Sequence, residues 1–383
     1  MTVYSIVLLV LLFLFLAEQG GLKKNSRILF SVSAFLVFFI MAFRGEDVGG
    51  DMIEYVHFWQ GKDDMYGTFD KPTESLLYEP GLSWLCYFLH LFNDGDAWFF
   101  IFWTSFITIV PFLYLVWRDS YYKVLPVLLY MVLWGLLDIS YTGLRQVIGA
   151  SLCLTAYIVW TTPIRKKWIK HIVVLFLIAF SLSFHASVYF CVLMFFCLKV
   201  FKNKRKTIHI SILLITLVLG MLFSKIAPAT FEKVNSIFTS FDLLFRYNHY
   251  FEGTGEADGL QEAVIGAKQI LSTLVVCLII FLSSDEKCNK FYINCLVFGC
   301  SLYNMFMSFP NAGRFLFPYM IVGLITMLAT DRINKYKLYR LVLVLLVIIL
   351  SVHQIRTWEL GFEDKNSSFY VFNQMFPYKF IWE

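Results

Sequence analysis

The stretch AWFFIFWTSFITIVPFLYLVW, residues 97–117, contains no charged side chain. A helix needs roughly 20 consecutive apolar residues to cross the hydrocarbon core of a bilayer, so this stretch is long enough to span a membrane. Runs of similar character recur along the whole chain and predict an all-α polytopic membrane protein with about 12 transmembrane helices. The predicted spans are about 3–18, 28–43, 97–117, 123–138, 143–160, 168–184, 187–201, 207–226, 264–284, 291–309, 313–330 and 338–353.

The composition excludes an ordinary soluble protein. Of the 383 residues, 59% are hydrophobic and 15% are charged, whereas soluble domains carry about 25% charged residues. The eight cysteines include no C-x-x-C pair, so they indicate neither a zinc site nor a disulfide framework. The apolar N-terminus lacks a basic stretch and a cleavage site, which predicts a retained first span rather than a cleaved signal peptide.

The distribution of basic residues predicts the orientation in the membrane. Alternate loops between the spans hold 20 of the 32 Lys and Arg residues, and cytoplasmic loops are the ones enriched in these residues. Both termini and the long segments at about 44–96, 227–263 and 354–383 are therefore expected outside. The run 76–92, which contains Glu79-Pro80-Gly81, is predicted to be an interfacial or re-entrant helix. We find no internal repeat or linker and predict a single membrane domain over residues 1–383.

Several residues that could carry chemistry fall at the outer ends of the spans. Arg44 follows the second span, and the glycines after it allow a tight turn or a close approach to a ligand. Asp51 and Tyr55 are four residues apart, so on a helix they share a face. The alternative is a solvated loop in which Arg44 reaches the lipid headgroups.

Four further candidates lie at the same predicted membrane level. Glu79 is either an acid–base group or a carboxylate favoured by a helix N-terminus. Arg145 has either a functional role or a structural ion pair with Asp138. His185 is either a general base near neutral pH or a hydrogen-bonded residue at a helix end. Arg314 begins another span at its outer end.

Arginines at one depth suggest a phosphate-binding site. Arg44, Arg145 and Arg314 are all predicted on the outer side, and arginine binds phosphate through paired hydrogen bonds. The sequence has no Walker loop, no dinucleotide fingerprint and no H-E-x-x-H motif. This combination favours a lipid-linked diphosphate substrate over a nucleotide sugar.

The ordered set of these motifs resembles the EpsG family, which is related to the Wzy O-antigen polymerases. The resemblance covers nearly the whole chain, with one departure at Gly50, where a small hydroxylated residue is expected. The matching pieces are Phe43-Arg44, Val48-Gly49-Gly50-Asp51, Tyr55, Glu79-Pro80-Gly81, Gly143-Leu144-Arg145-Gln146, His185-Ala186-Ser187, Gly313-Arg314-Phe315 and Pro377-Tyr378-Lys379.

The resemblance implies a polymerase of lipid-linked repeat units in the bacterial plasma membrane. It implies a GT-C-like fold, an outward-facing site and no metal or other cofactor. The growing glycan would pass from undecaprenyl diphosphate to a new lipid-linked repeat unit, with membrane lipid, a flippase and a chain-length regulator as partners and no nucleic acid. The expected catalytic residues are His185, Asp51 and Glu79, with His185 ranked first as the base. The expected substrate-binding residues are Arg44, Arg145, Arg314, Tyr55 and Gln146.

Three other functions remain open from the sequence. An O-antigen ligase would use the same donor with a different acceptor. A transporter or flippase would be expected to show internal repeats and polar groups at mid-membrane, and neither is evident here. An acyltransferase that modifies exported sugars would also use an outward or membrane-embedded histidine.

Overall fold

The computed structural model describes residues 2–20, 25–49, 51–62, 80–132, 137, 140–141, 143–185, 187–193, 205–238, 270, 273–274, 276–277, 280–281, 287–306, 337–363, 378, 380 and 382. Apart from one isolated bridge between Arg44 and Phe380, all regular structure in these residues is helical. The named helices are α1 (Val3–Gln19), α2 (Ser26–Ala42), α3 (Met52–Trp59), α4 (Pro80–His90), α5 (Ala97–Asp119), α6 (Val124–Val132), α7 (Leu144–Thr161), α8 (Lys167–Leu182), α9 (Lys206–Phe238), α10 (Lys287–Phe306) and α11 (Lys337–Glu363).

The helices follow the predicted spans closely in the first half of the chain. Helices α5 and α7 are each long and apolar enough to cross a membrane, and α1 and α2 are shorter apolar helices. Helices α9 and α11 continue well past the predicted spans 207–226 and 338–353. The reason is that apolar length marks the extent of the hydrocarbon core, while helical hydrogen bonding can continue into polar sequence. The predicted span 313–330 lies outside the described residues.

Exposed apolar side chains on the helices support a lipid environment. Phe13 on α1 is 70% exposed and Leu175 on α8 is 66% exposed. Along α8, whose sequence is apolar from Ile172 to Phe180, the buried residues are Val174 and Ser181. Soluble proteins rarely leave such continuous apolar faces open to water. These faces are those of a membrane protein, although the count of twelve spans remains a prediction.

Helix α4 has the two faces expected of an interfacial helix. Leu82, Leu85 and Cys86 are buried on one side, whereas Phe88 and Leu91, near its end, are 50% and 65% exposed. An amphipathic helix with an exposed aromatic face suits the boundary between water and lipid. The position of α4 at that boundary stays a prediction.

The chain divides into two compact units. The first comprises residues 1–193 and 324–383, and within it α5 packs on α2 and α7, α7 on α8, and α1 on α6 and α11. The second comprises residues 194–323, and within it α9 packs on α10. In the second unit the buried amide of Asn304 accepts a hydrogen bond from Thr273 at 2.9 Å and donates to the carbonyl oxygen of Leu213 at 3.3 Å.

Glu359 on α11 binds the first turn of α1. Its Oε1 accepts hydrogen bonds from the Ser5 hydroxyl at 2.5 Å and from the Thr2 backbone N–H at 2.9 Å. Because backbone N–H groups at a helix N-terminus have no partner within the helix, a carboxylate there is stabilising. Burial raises the pKa of Glu359, but the hydrogen bonds from Ser5 and Thr2 outweigh it and hold the pKa below its ordinary value.

We expect Glu359→Gln to lower thermal stability at pH 7. A carboxyl with a lowered folded-state pKa contributes stability that is present above its unfolded pKa of about 4.3 and is lost as the pH falls through the folded value. The melting temperatures of the variant and the wild type in detergent should therefore differ at pH 7 and converge below about pH 4. Glu46→Gln, at an exposed position, is the control. A difference that persists unchanged at low pH would contradict the prediction.

Candidate functional site

One hydrophobic core cluster joins four of the motif regions. Tyr55, Leu82, Leu144 and Phe184 each lie within or beside a different motif, and all four belong to this cluster. Helix α3, the first turn of α4, the first turn of α7 and the segment that follows α8 are therefore packed around one centre. The other buried members are Met52, Val56, Phe58, Trp59, Leu85, Cys86, Phe100, Ile101 and Ile148.

Arg44 lies two residues after the end of α2 and is 1% exposed. Its Nη1 donates a hydrogen bond to the carbonyl oxygen of Met41 at 3.1 Å, and its Nη2 lies 3.9 Å from the sulfur of Met52. Its Cζ lies 4.1 Å from the centre of the Tyr141 ring, which is a cation–π contact. Arg44 thus connects the end of α2, the start of α3 and the segment before α7.

Tyrosine rings form the walls around this guanidinium. The ring of Tyr4 on α1 lies 6.3 Å from that of Tyr141 and 5.3 Å from that of Tyr378, centre to centre. The hydroxyls of Tyr141 and Tyr378 both donate to the carbonyl oxygen of Ile40, each at 3.0 Å. The pocket therefore offers rings and phenolic oxygens to Arg44.

The charge of Arg44 has no carboxylate among its contacts in the described part of the chain. Burial lowers the pKa of Arg44 from its ordinary value, and the phenols of Tyr141, Tyr4 and Tyr378 offset part of that effect. Arginine remains protonated in proteins despite such shifts. The buried Nε has no hydrogen-bond partner among the described residues. A buried cation with an unused donor is suited to bind an anion.

A glycine allows the Arg44 segment to approach Tyr141. Gly49 has a φ of +116°, and a Cβ there would lie 3.0 Å from the backbone oxygen of Tyr141. Only glycine adopts this conformation readily and leaves room for the contact. Asp51, partly exposed, follows within two residues, and its carbonyl oxygen accepts a hydrogen bond from the Tyr55 N–H at 3.2 Å. This confirms that Asp51 and Tyr55 share one helical turn.

The Pro80-Gly81 pair meets the segment that carries His185. The backbone N–H of Gly81 donates to the Ser183 carbonyl oxygen at 2.8 Å. A Cβ on Gly81 would lie 2.6 Å from the Ser183 hydroxyl and 2.7 Å from that carbonyl oxygen. The contact brings the start of α4 to the turn that precedes His185, which periodicity alone does not indicate.

We expect Gly81→Ala to destabilise the protein by about 1–3 kcal/mol, as overpacked sites do, and to reduce activity by displacing the His185 turn. Melting temperature and activity should be measured together. Gly20→Ala is the control, because its Cβ would meet nothing closer than 3.3 Å. A Gly81→Ala variant as stable as the control would show that the two segments do not pack as described.

The hydrogen bonds of His185 indicate its tautomer. Its Nδ1 accepts from the Ser187 backbone N–H at 3.1 Å and lies 2.8 Å from the Ser187 hydroxyl. A nitrogen that accepts from a backbone N–H carries no proton, so the neutral ring is protonated at Nε2. The ring then presents a donor at Nε2 instead of the lone pair that a general base needs.

The other predicted residues have different surroundings. Arg145 is partly exposed on the first turn of α7, and its neighbour Gln146 is 1% exposed. Tyr55 is 3% exposed and packs in the core cluster. Glu79 and Arg314 lie outside the described residues, as does Asp138, the predicted ion-pair partner of Arg145. The substrate-binding roles of Arg145, Gln146 and Tyr55 stay predictions.

Sequence patterns alone do not show that Tyr4, Tyr141 and Tyr378 surround Arg44. Tyr141 stands two residues before the Gly143-Leu144-Arg145-Gln146 motif and Tyr378 stands in the last motif, so two of them could have been found by position. Tyr4 gives no such signal, because a tyrosine in an apolar span is ordinary. Within the described residues, no group of three or more His, Cys, Asp or Glu side chains is arranged to hold a metal ion.

The comparisons with known proteins give one match. The family model described as the EpsG family matches residues 27–380. No curated protein and no solved structure matches the chain. The matched range includes every motif described above.

Proposed function

The chain belongs to the EpsG family, and from that premise we propose that it is a polysaccharide polymerase of the bacterial plasma membrane. It transfers a growing glycan from undecaprenyl diphosphate to a lipid-linked repeat unit at the outer face of the membrane. The observation that carries this proposal is the buried Arg44, which has no carboxylate among its described contacts and lies where the packed motifs meet. A diphosphate would bring to the guanidinium the negative charge that its described contacts lack.

The reaction needs charge stabilisation at the leaving group. The acceptor hydroxyl oxygen bonds to the anomeric carbon of the donor, and the bond from that carbon to the diphosphate breaks. The diphosphate leaves with the electron pair, and the hydroxyl proton goes to a base. Arg44, Arg145 and Arg314 stabilise the charge that develops on the diphosphate, a type of effect that is often the largest in catalysis. With this charge neutralised, the leaving group needs no proton.

We propose Asp51 as the base, ahead of His185 and Glu79. Asp51 is partly exposed and directly precedes Met52, whose sulfur contacts the Arg44 guanidinium. The accepting nitrogen of His185 is already used by the Ser187 N–H. His185 can instead donate a hydrogen bond to the substrate from Nε2. Tyr55 and Gln146, both buried, complete the proposed site.

We further propose a GT-C-like arrangement of about 12 membrane spans in a single domain, with segments at about 44–96, 227–263 and 354–383 outside. Labelling of single-cysteine variants in intact cells with an impermeant reagent tests this topology. Position 240 should react and position 204 should not. The reverse pattern would overturn the proposed orientation, while leaving the family assignment intact.

The function itself is tested by deletion and reconstitution. Deletion of the gene should remove the high-molecular-weight surface polysaccharide. The purified protein, supplied with lipid-linked repeat units, should produce a ladder of chain lengths without its proposed partners, a flippase and a chain-length regulator. A single transfer to a different acceptor would indicate a ligase, and movement of substrate across vesicles without elongation would indicate a transporter. Either result would overturn the proposal.

A further inference from the structure

The connection between α7 and α8 is strongly basic. Together with the helix ends on either side it reads WTTPIRKKWIKH, residues 160–171, which we name the basic turn. Arg165, Lys166 and Lys167 are exposed, and Lys170 is partly exposed. We propose that the basic turn binds the headgroup of an anionic phospholipid in the leaflet beside it. Such a site is independent of the glycosyl transfer proposed above.

The first observation is that no carboxylate neutralises these cations. The sequence contains no Asp or Glu between Asp138 and Glu232. Asp119 lies nearby at the end of α5, because its neighbour Arg118 donates a hydrogen bond to the Thr161 hydroxyl at 2.9 Å. Both carboxylate oxygens of Asp119 accept from Arg118, at 2.7 and 2.8 Å, so this acid is already paired. Within the described residues, the four cations of the basic turn form no ion pair.

The second observation is that two indoles mark the depth of the basic turn in the membrane. Trp160 lies in the last turn of α7 and Trp168 in the first turn of α8, and they are 45% and 63% exposed. Tryptophans at the ends of membrane helices are enriched at the level of the headgroups. Further along α8, Leu175 and Phe176 are exposed, as expected of a surface that faces acyl chains. The cations between the two indoles therefore lie at the level of the lipid phosphates.

Contacts within the basic turn fix its conformation and leave three cations available. The Nζ of Lys170 donates to the Thr162 carbonyl oxygen at 3.1 Å and lies 5.8 Å from the centre of the Trp160 ring. The His171 ring meets the Trp160 ring edge to face, with their centres 5.5 Å apart. These contacts tie the start of α8 to the end of α7. The charged groups of residues 165–167 have no hydrogen-bond partner among the described residues, so they can bind a ligand.

An anionic phospholipid fits this arrangement both in charge and in depth. The planar guanidinium of Arg165 can donate to two oxygens of a phosphodiester, and the two lysines beside it add positive charge. The N-terminus of α8, which has no side-chain cap, contributes a partial positive charge as well. A soluble acidic protein would match the charge but not the exposed indoles and the apolar face of α8. In the proposed topology the basic turn is cytoplasmic, so the lipid belongs to the inner leaflet.

Native mass spectrometry of the full-length protein in a neutral detergent tests the site. The probes are phosphatidylglycerol, which is anionic, and phosphatidylcholine with the same acyl chains, which is zwitterionic. The wild type should retain phosphatidylglycerol in preference to phosphatidylcholine. Each Lys or Arg near an anionic lipid surface strengthens the attraction about five-fold. The triple variant Arg165→Gln/Lys166→Gln/Lys167→Gln should therefore bind phosphatidylglycerol about 10-fold or more weakly and bind phosphatidylcholine as before.

The matched control is Lys23→Gln/Lys24→Gln/Arg27→Gln, which removes the same charge from the segment between α1 and α2 and the start of α2. It should keep most of the phosphatidylglycerol affinity. That segment contains no tryptophan, and the buried carboxylate of Glu18 lies beside it, where it accepts a hydrogen bond from the Ser26 hydroxyl. An equal loss of affinity in both triple variants would overturn the site, because the net charge of the protein would then explain the binding.

Two further results would overturn the proposal. One is a wild type that binds the two phospholipids equally. The other is a wild type that binds inorganic phosphate or polyglutamate but no phosphatidylglycerol, which would make the ligand a soluble anion. Melting temperatures show whether the variants are folded. If the variant in the basic turn does not fold, the wild type still tests the site: higher ionic strength should weaken phosphatidylglycerol binding and leave phosphatidylcholine binding unchanged, and a preference that does not depend on salt would contradict the proposal.

Discussion

Replacing Arg44 with lysine is expected to reduce polymerisation by about 10²-fold or more, the usual cost of losing one donor at a developing oxyanion. Lysine keeps the charge but not the planar group that lies over Tyr141 at 4.1 Å. An ammonium group also cannot place one nitrogen on the Met41 carbonyl and another toward the substrate at the same time. The charge alone is therefore insufficient.

The matched control is Arg118→Lys. Arg118 forms an ion pair with Asp119 at 2.7 Å on the opposite, cytoplasmic side of the predicted topology. Both variants should be compared for yield, monodispersity in detergent and melting temperature before activity is measured with purified lipid-linked repeat units. An Arg44→Lys enzyme that folds and polymerises at the rate of the Arg118→Lys enzyme would remove Arg44 from the substrate-binding residues.

The helical spans could be predicted from the sequence because the bilayer imposes one length and one polarity on them. The predicted span 97–117 and helix α5 agree within two residues at each end. Prediction from apolar length places the end of α9 too early, because a helix can continue past the point where the lipid ends. Hydropathy indicates whether a segment lies in lipid or in water. It does not show whether a helix continues beyond the lipid into polar sequence.

The contacts between motifs could not be predicted in the same way. Periodicity shows that Arg44 and Tyr141 each lie at an end of an apolar run, but not that the Gly49 turn brings them together. The Gly81–Ser183 contact likewise depends on the packing of α4, whose orientation is set by its neighbours. The tyrosines around Arg44 come from separate parts of the chain, and only the packed structure selects them from the chain's 21 tyrosines.

The structure also changes the chemistry expected of His185. From the sequence, a histidine at an outward helix end is the first choice for a base, because its pKa is near neutral. In the structure its Nδ1 accepts from the Ser187 N–H, so the lone pair is engaged within its own turn. A histidine at this position suggested a general base, but in the structure the lone pair of Nδ1 is engaged by the Ser187 N–H.

We therefore expect Asp51→Asn to reduce polymerisation by about 10²–10⁴-fold, the range for losing a general base, and His185→Asn to reduce it far less. Asparagine at 185 can place its Oδ1 where Nδ1 accepts the Ser187 N–H, so it preserves the turn but cannot take a proton. His185→Ala removes that acceptor, so its polymerisation rate should fall between those of Asp51→Asn and His185→Asn.

The pH dependence of the rate separates the two bases independently of variant folding. A carboxylate base loses activity only as the pH approaches about 4, whereas a histidine base loses it below about 6.5. The wild-type rate should therefore remain level from neutral pH to about pH 5. If the rate instead falls around pH 6.5 and His185→Asn is as inactive as Asp51→Asn, then His185 is the base, its ring must turn away from Ser187 when the substrate binds, and Asp51 serves to orient the acceptor hydroxyl.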